Sequence, residues 1–251
     1  MPPCGFNVGE LLDVKILPSG DSAVLIQLGS VISPQVNAAV HALDAGIKSA
    51  NINGIVETVP AFASLLVLYD PVVIGYEEIS GALRALCENP TSVSERKSFV
   101  YTIPVCYGGE FGEDLEDVAA HAGMSTDEVV RRHSERTYLI YMLGFLPGFP
   151  YLGGLDPAIA CPRLASPRQK IEAGSVGIGG EQTGVYPLAS PGGWRLIGRT
   201  PVKLYDPNRA EPIFYSPGDS VKFSPIDRRE YDRIAAEAEK GNYIPEKEAV
   251  L

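Results

Sequence analysis

Four arginines fall in two short segments of this chain, Arg163 and Arg168 in CPRLASPRQK and Arg195 and Arg199 in GGWRLIGRTP. A guanidinium offers a planar fork of N–H donors that suits a carboxylate or phosphate held at two points. Glycine runs lie between and beside them: Gly177, Gly179 and Gly180, then Gly192 and Gly193. Where no Cβ intervenes, a backbone N–H can come close to an anion. Gln182, Thr183, Tyr186, Ser190 and Trp194 add neutral polar and aromatic groups that orient a small molecule. His133, in RRHSERTY, has the side chain whose titration near neutrality suits general acid–base work. Each of these types also has an ordinary use, in solvated surface, turn or core. By residue type the segment supports an anion-friendly site in a barrel mouth, and nothing narrower.

The stretch GFLPGFPYLGGLDP, residues 144–157, adds a different signal. It holds too much glycine and proline for a helix interior or a central strand. It is also too aromatic for an idle loop. We expect a stiff rim in which Phe145, Phe149 and Tyr151 wall off a pocket, with Gly148 among its lining residues.

Several common sites are missing. No G-x-x-x-x-G-K-[ST] is present to hold a nucleotide, and GIGGEQTG fails the G-x-G-x-x-G spacing. HExxH is absent, and Gly174-Ser175-Val176-Gly177 is not a G-x-S-x-G elbow. The four cysteines are scattered, without CxxC or histidines at ligand spacing, so no metal site is expected and the thiols read as reduced, in a cytoplasmic protein. No apolar run reaches the length of a membrane span, and MPPCGFNVGELLDV lacks the basic start of a secretory signal.

A net charge of −10 argues against a nucleic-acid or membrane partner. Its distribution is uneven. Between Tyr141 and Pro201 five Lys/Arg face three acids, so this segment is locally positive. A third of the same segment is Gly or Pro, against about one in seven elsewhere. Charge and backbone chemistry change together over the interval that carries the candidate residues.

The elements that must position them form two sets. LDVKILPSGDSAVLIQL reads as two strands about a turn at Gly20, and Ser33-Pro34 opens a helix as N-cap and N1. GIVETVP and SLLVLYDP read as two strands and EEISGALRALCEN as a helix, giving ββαββα over residues 1–92 with the helices on one face of a small sheet. PTSVSERKS, residues 90–98, is the linker candidate. FVYTIPVCY then starts a strand, EDLEDVAAHAG reads as a helix, and Ser125 with Glu128 fits a capping box for the next. TYLIYMLGF, SVGIGG, GVYPLA, GWRLIGR, VKLYD and DSVKFSPI are short strands between turn residues, which suggests a closed or nearly closed barrel. RREYDRIAAEAEKG reads as a terminal helix, ending a second domain over residues 98–240. The fold class expected is α+β: a small N-terminal α/β domain, then a β-barrel.

The run from His133-Ser134 through Gly144-Phe145, Pro147-Gly148-Phe149, Tyr151-Leu152, Pro162-Arg163 and Pro167-Arg168 forms a long signature. It continues through Gly174-Ser175-Val176, Gln182-Thr183-Gly184, Tyr186-Pro187, Ser190-Pro191-Gly192-Gly193-Trp194 and Gly198-Arg199-Thr200-Pro201. This signature closely resembles the KipI/PxpB family, also labelled allophanate hydrolase subunit 1 or the first half of a carboxyltransferase domain. Gly20-Asp21-Ser22-Ala23 and VPAFASLLVLYDP extend the resemblance to the N-terminal part. A longer N-terminus and a longer acidic C-terminal tail depart from the pattern without touching the signature.

The resemblance implies a cyclophilin-like barrel and pairing with a homologous subunit of the KipA/PxpC type. With a third, A-type (LamB-like) subunit it implies a 5-oxoprolinase, inactive as a lone chain, that opens the lactam of 5-oxo-L-proline to L-glutamate while the complex uses ATP. A KipI-like inhibitor of a sensor histidine kinase, or a subunit of an allophanate- or urea-processing carboxyltransferase or amidohydrolase, is the alternative. Carried to this chain, a small anionic amide would meet Arg168 or Arg199 at its carboxylate and Gln182 and Tyr186 at its amide edge. The Gly177, Gly179 and Gly180 amides would face a developing oxyanion. His133 and Arg168 are the catalytic candidates; Gly148, Ser190 and Trp194 complete the binding set.

Overall fold

The computed structural model describes residues 14–88 and 97–250. Spatial proximity divides the chain into two units, Met1–Arg96 and Lys97–Leu251. The expected linker lies outside the described residues, apart from residues 97 and 98.

The first unit follows the expected order: β1 (Lys15–Pro18), β2 (Ala23–Gln27), α1 (Pro34–Ala50), β3 (Ile55–Pro60), β4 (Ser64–Tyr69) and α2 (Tyr76–Glu88). The sheet runs β1-β2-β4-β3, with every pair antiparallel. Gly20 makes the first turn at φ +68°, a conformation that costs glycine no side-chain clash. Ser33 caps α1 as its chemistry suggests, its Oγ accepting from Val36 N at 3.2 Å, and Pro34 follows at the first helical position. Both helices bury their apolar stripes on the same sheet face. Val24, Ile26, Leu65 and Val67 meet Val40, Leu43 and Ile47 of α1 and Ile79 and Leu83 of α2 in one core.

The second unit contains β5 (Phe99–Tyr107), α3 (Leu115–Ala122), α4 (Thr126–Ser134), β6 (Thr137–Leu143), β7 (Pro150–Gly153), β8 (Arg168–Ile171), β9 (Ser175–Gly179), β10 (Gln182–Val185), β11 (Ser190–Gly192), β12 (Arg195–Arg199), β13 (Ser220–Pro225), α5 (Arg228–Glu239) and β14 (Lys247–Ala249). Hydrogen bonding runs β12-β9-β10-β7-β6-β13-β5, and β12 pairs again with β5. Seven strands therefore close on themselves, which removes the sheet edges. Side chains alternate along each strand, so Ile103, Val105, Tyr138, Ile140, Val176, Ile178, Val221 and Phe223 fill the interior. The β8–β11 pair forms a separate two-stranded ribbon.

Several readings need correction. VKLYD is not a strand: only a single bridge, Tyr205 with Ile213, forms there, between Pro201 and Asp206-Pro207. The rim stretch contributes β7, and β8 and β11 come from segments to which the sequence reading assigned no element. Strand β14 lies beyond residue 240 and adds to β5 through Lys247, Glu248 and Ala249, all exposed, so no apolar alternation marks it. Only half of the capping box forms. Ser125 Oγ accepts from Glu128 N at 3.2 Å, but the Glu128 carboxylate turns to Arg131 and Arg132, each at 2.7 Å, where charged donors outcompete a backbone amide.

Candidate functional site

Inward-facing Val176 and Ile178 leave Ser175, Gly177 and Gly179 on the outer wall of the barrel. Glycine is required there by Trp194. A Cβ on Gly179 would overlap the indole Nε1, and one on Gly184 would stand 3.0 Å from Cζ3. The indole, 6% exposed, lies flat on this glycine floor within a cluster of Phe149, Ile171, Tyr186 and Leu196. Phe149, Tyr186 and Trp194 meet edge to face at 5.5, 5.8 and 6.2 Å between ring centres. Trp194 and Tyr186 are thus packed between barrel and ribbon rather than offered to a ligand. Tyr186 Oη also accepts from the Trp194 backbone N–H, and burial raises its pKa.

The amides expected to face an oxyanion are also spent. Gly177 and Gly179 lie in a strand paired on both sides, and Gly180 N donates to Cys161 O at 2.8 Å.

The arginines divide into paired and unpaired. Arg168 reaches Glu113 at 3.0 Å, Asp114 at 2.8 Å and Trp194 O at 3.4 Å. Asp114 is buried, and its second oxygen accepts from Leu196 N at 2.6 Å. Arg168 is therefore a clasp that neutralises a buried carboxylate and ties segment 113–114 to β8 and β12, not an open anion ligand. Arg195 pairs with Asp117 at 2.7 Å. Arg163 is exposed and lies 5.8 Å from the Trp194 ring centre. Arg199, like Arg163, has no carboxylate within ion-pair distance among the described residues, but it is half-buried and its buried Nε has no hydrogen-bond partner. Its guanidinium lies 5.8 Å from the Phe111 ring centre. Register places Arg199 directly opposite Ser175 on β9 and Cys106 on β5.

His133 is fully buried inside the barrel. Nδ1 lies 2.8 Å from Tyr107 Oη and Nε2 lies 2.8 Å from Thr183 Oγ1. Thr183 spends its one proton on Gly177 O at 3.0 Å, so it must accept from His133 Nε2–H. Nδ1 then accepts from the Tyr107 hydroxyl. The ring stacks on Phe223 at 4.7 Å, and burial lowers its pKa to about 3. The ring is neutral, has both nitrogens engaged and lies away from solvent, so it is not presented at the surface. His133 instead fastens α4 to β5 and β10.

The rim stretch does border a hollow, of about 330 Å³, lined by Leu143, Gly144, Phe145, Leu146, Pro147, Gly148 and Ile213. Phe145 stands at its mouth, 61% exposed, with φ +58°, a left-handed conformation that disfavours a side chain. Of the expected binding set only Gly148 lines this hollow. Gln182 lies opposite Gly179, four positions along β9 from Ser175, so it stands ~13 Å from the level of Arg199. Ser190 is buried, with its Oγ unpartnered. The expected residues are therefore not gathered in one pocket. Those that sequence reasoning missed, Asp114, Ser175, Cys106 and Phe111, come from separate segments whose meeting is set by strand pairing.

A closed seven-stranded barrel with a ribbon laid over a glycine floor, preceded by a four-stranded sheet bearing two helices, defines the class of protein. The chain matches the carboxyltransferase domain, subdomain C and D, over residues 14–215, and it belongs to that family. It is 45% identical over 230 residues to a Bacillus subtilis protein named as the B subunit of 5-oxoprolinase, covering 87% of this chain and 95% of the relative. The same-named protein of Escherichia coli O157:H7 is 42% identical, over 82% and 93% of the two chains. Among solved structures, a conserved uncharacterized protein of Pyrococcus horikoshii is 49% identical, covering 86% of this chain and all of its own, at a TM-score of 0.52.

Proposed function

We propose that this chain is the B subunit of an ATP-dependent 5-oxoprolinase, working with a homologous C-type and an A-type subunit to convert 5-oxo-L-proline to L-glutamate. The observation that carries this reading is identity above 40% along nearly the full length of relatives bearing that subunit's name. The buried free thiols of Cys87, Cys106 and Cys161 fit a reducing, cytoplasmic setting. Residues 1–92 and 98–240 serve as its two domains.

Of the four candidate arginines, Arg168 and Arg195 are neutralised and Arg163 is solvent-exposed, which leaves the half-buried Arg199, with its unpartnered Nε, to hold the substrate carboxylate. One molecule of this size cannot bridge from Arg199 to Gln182. The amide edge of the substrate therefore meets groups nearer Arg199 or on a partner subunit. Gly177, Gly179 and Gly180 do not offer a nucleotide their amides, which are held in strand pairing and in the bond to Cys161. The ATP is assigned to the complex.

The test is reconstitution. The purified chain, alone and mixed with its two candidate partners, is assayed for ATP-dependent glutamate formation from 5-oxoproline. Turnover only in the full mixture is expected, and Arg199→Ala should remove it without lowering the melting temperature. Inactivity of every combination overturns the reading.

A further inference from the structure

We propose that Arg199, Ser175 and Cys106 form an oxyanion subsite on the outer wall of the barrel, bordered by Phe111 and Tyr231, that takes the carboxylate or phosphate group of a small molecule. The proposal rests on the subunit reading and deepens it by adding Ser175 and Cys106, to which the sequence reading gave no ligand role.

Strand register sets the row. Arg199 on β12 is the Cα partner of Ser175 on β9 and of Cys106 on β5, so all three share the outer face of adjacent strands. Gly174, at φ +82°, brings the start of β9 against Thr200 and the Arg199 side chain with no room for a Cβ. Two polar groups in the row are buried without partners among the described residues: Ser175 Oγ, on a wholly inaccessible residue, and Arg199 Nε. Two buried donors in one register row, both without partners, are the pattern an oxyanion completes.

The surroundings limit what binds. Phe111 supports the Arg199 guanidinium and packs at a tilt against Tyr231, with ring centres 4.4 Å apart. Arg228 also lies over Phe111, at 5.1 Å, but is paired with Glu110 and Asp232, so it neither competes for the ligand nor adds a second open cation. Burial raises the Cys106 pKa, leaving a neutral thiol that donates weakly and does not repel an anion. The carboxylate that senses Arg199 is Glu172, which is half exposed and held first by Lys170 at 2.7 Å. One guanidinium, one hydroxyl and one thiol match a single oxyanion group, not a polyphosphate.

The measurement follows the Arg199 Nε–Hε resonance in the full chain, assigned through Arg199→Lys, during separate titrations with inorganic phosphate and acetate at constant ionic strength. A saturable shift with either anion, weakened about tenfold in Ser175→Ala, supports the subsite. Saturation by acetate alone makes the source a carboxylate; by phosphate alone, a phosphoryl group. A non-saturating shift shared with the exposed Arg163, or a Ser175→Ala response equal to wild type, overturns it. The titration needs no partner subunit, so its failure beside full reconstituted turnover would remove the subsite and leave the subunit reading standing.

Discussion

At the scale of single residues, the same side-chain type does opposite jobs according to what stands beside it. Arg168 and Arg199 are equivalent as letters, yet one is bound to Glu113 and Asp114 and the other faces no acid at contact distance among the described residues. His133 shows the converse, a group suited to proton transfer that burial converts into a fastener. Its folded pKa, about 3, lies below the unfolded value near 6.5. The stability it contributes is complete above pH 6.5 and is lost progressively as pH falls from there toward 3. Unfolding free energies from denaturant titrations between pH 7 and 4 should therefore fall more steeply in the wild type than in His133→Phe. The slopes should differ by up to about 1.4 kcal/mol per pH unit. Parallel curves would mean that the ring reaches water in the native state.

At the scale of elements, glycine in β9 and β10 is a packing device. Gly177, Gly179 and Gly184 together make the flat outer surface on which Trp194 lies, and the ribbon of β8 and β11 is held there through Ile171 and the Arg168 clasp. Gly179→Ala should cost about 2 kcal/mol, because the added methyl overlaps the indole and the packed cluster cannot yield cheaply. In a Trp194→Leu background most of that penalty should disappear, since the two substitutions act on one contact. Urea unfolding of the two singles and the double checks this. Equal losses in both backgrounds would show that something other than the indole excludes the methyl.

For the whole molecule, closure of the barrel is the governing fact. The bonds of Gly198 and Arg199 on β12 to Tyr107 and Cys106 on β5 complete the ring, while β14 adds only three exposed residues outside it. Removing residues 246–251 should thus cost about 1 kcal/mol, much of it from Lys247 over the Phe99 ring, with a single cooperative transition retained. Loss of cooperativity in denaturant would mean that β14 belongs to the closure. Closure also brings Ser175, Arg199 and Cys106 into one row. Relatives of nearly the same length are named as one subunit of an enzyme. An open guanidinium on the outer wall is consistent with chemistry finished by another chain.

Much of the fold was legible because its signals are local. Ser33-Pro34 caps a helix by its own geometry, and the alternation of Val176 and Ile178 with small residues marks a strand whose large side chains all face one way. Strands β8, β11 and β14 escaped notice for the corresponding reason: they are short, lack alternation, and exist because a partner strand is already there. The site was less legible. Residue types pointed to an anion and to arginine, but pairing of Arg168, burial of His133 and engagement of the glycine amides depend on neighbours far along the chain.

The amino-acid sequence by itself determined the order of elements, the barrel class, the family signature and the cationic, glycine-rich character of its central segment. These properties need only near neighbours and periodicity. Tertiary structure alone decided which arginines are neutralised and which hydroxyl and thiol stand in register with Arg199. Charge availability is set by distances between residues that β-strand register, not sequence proximity, brings together.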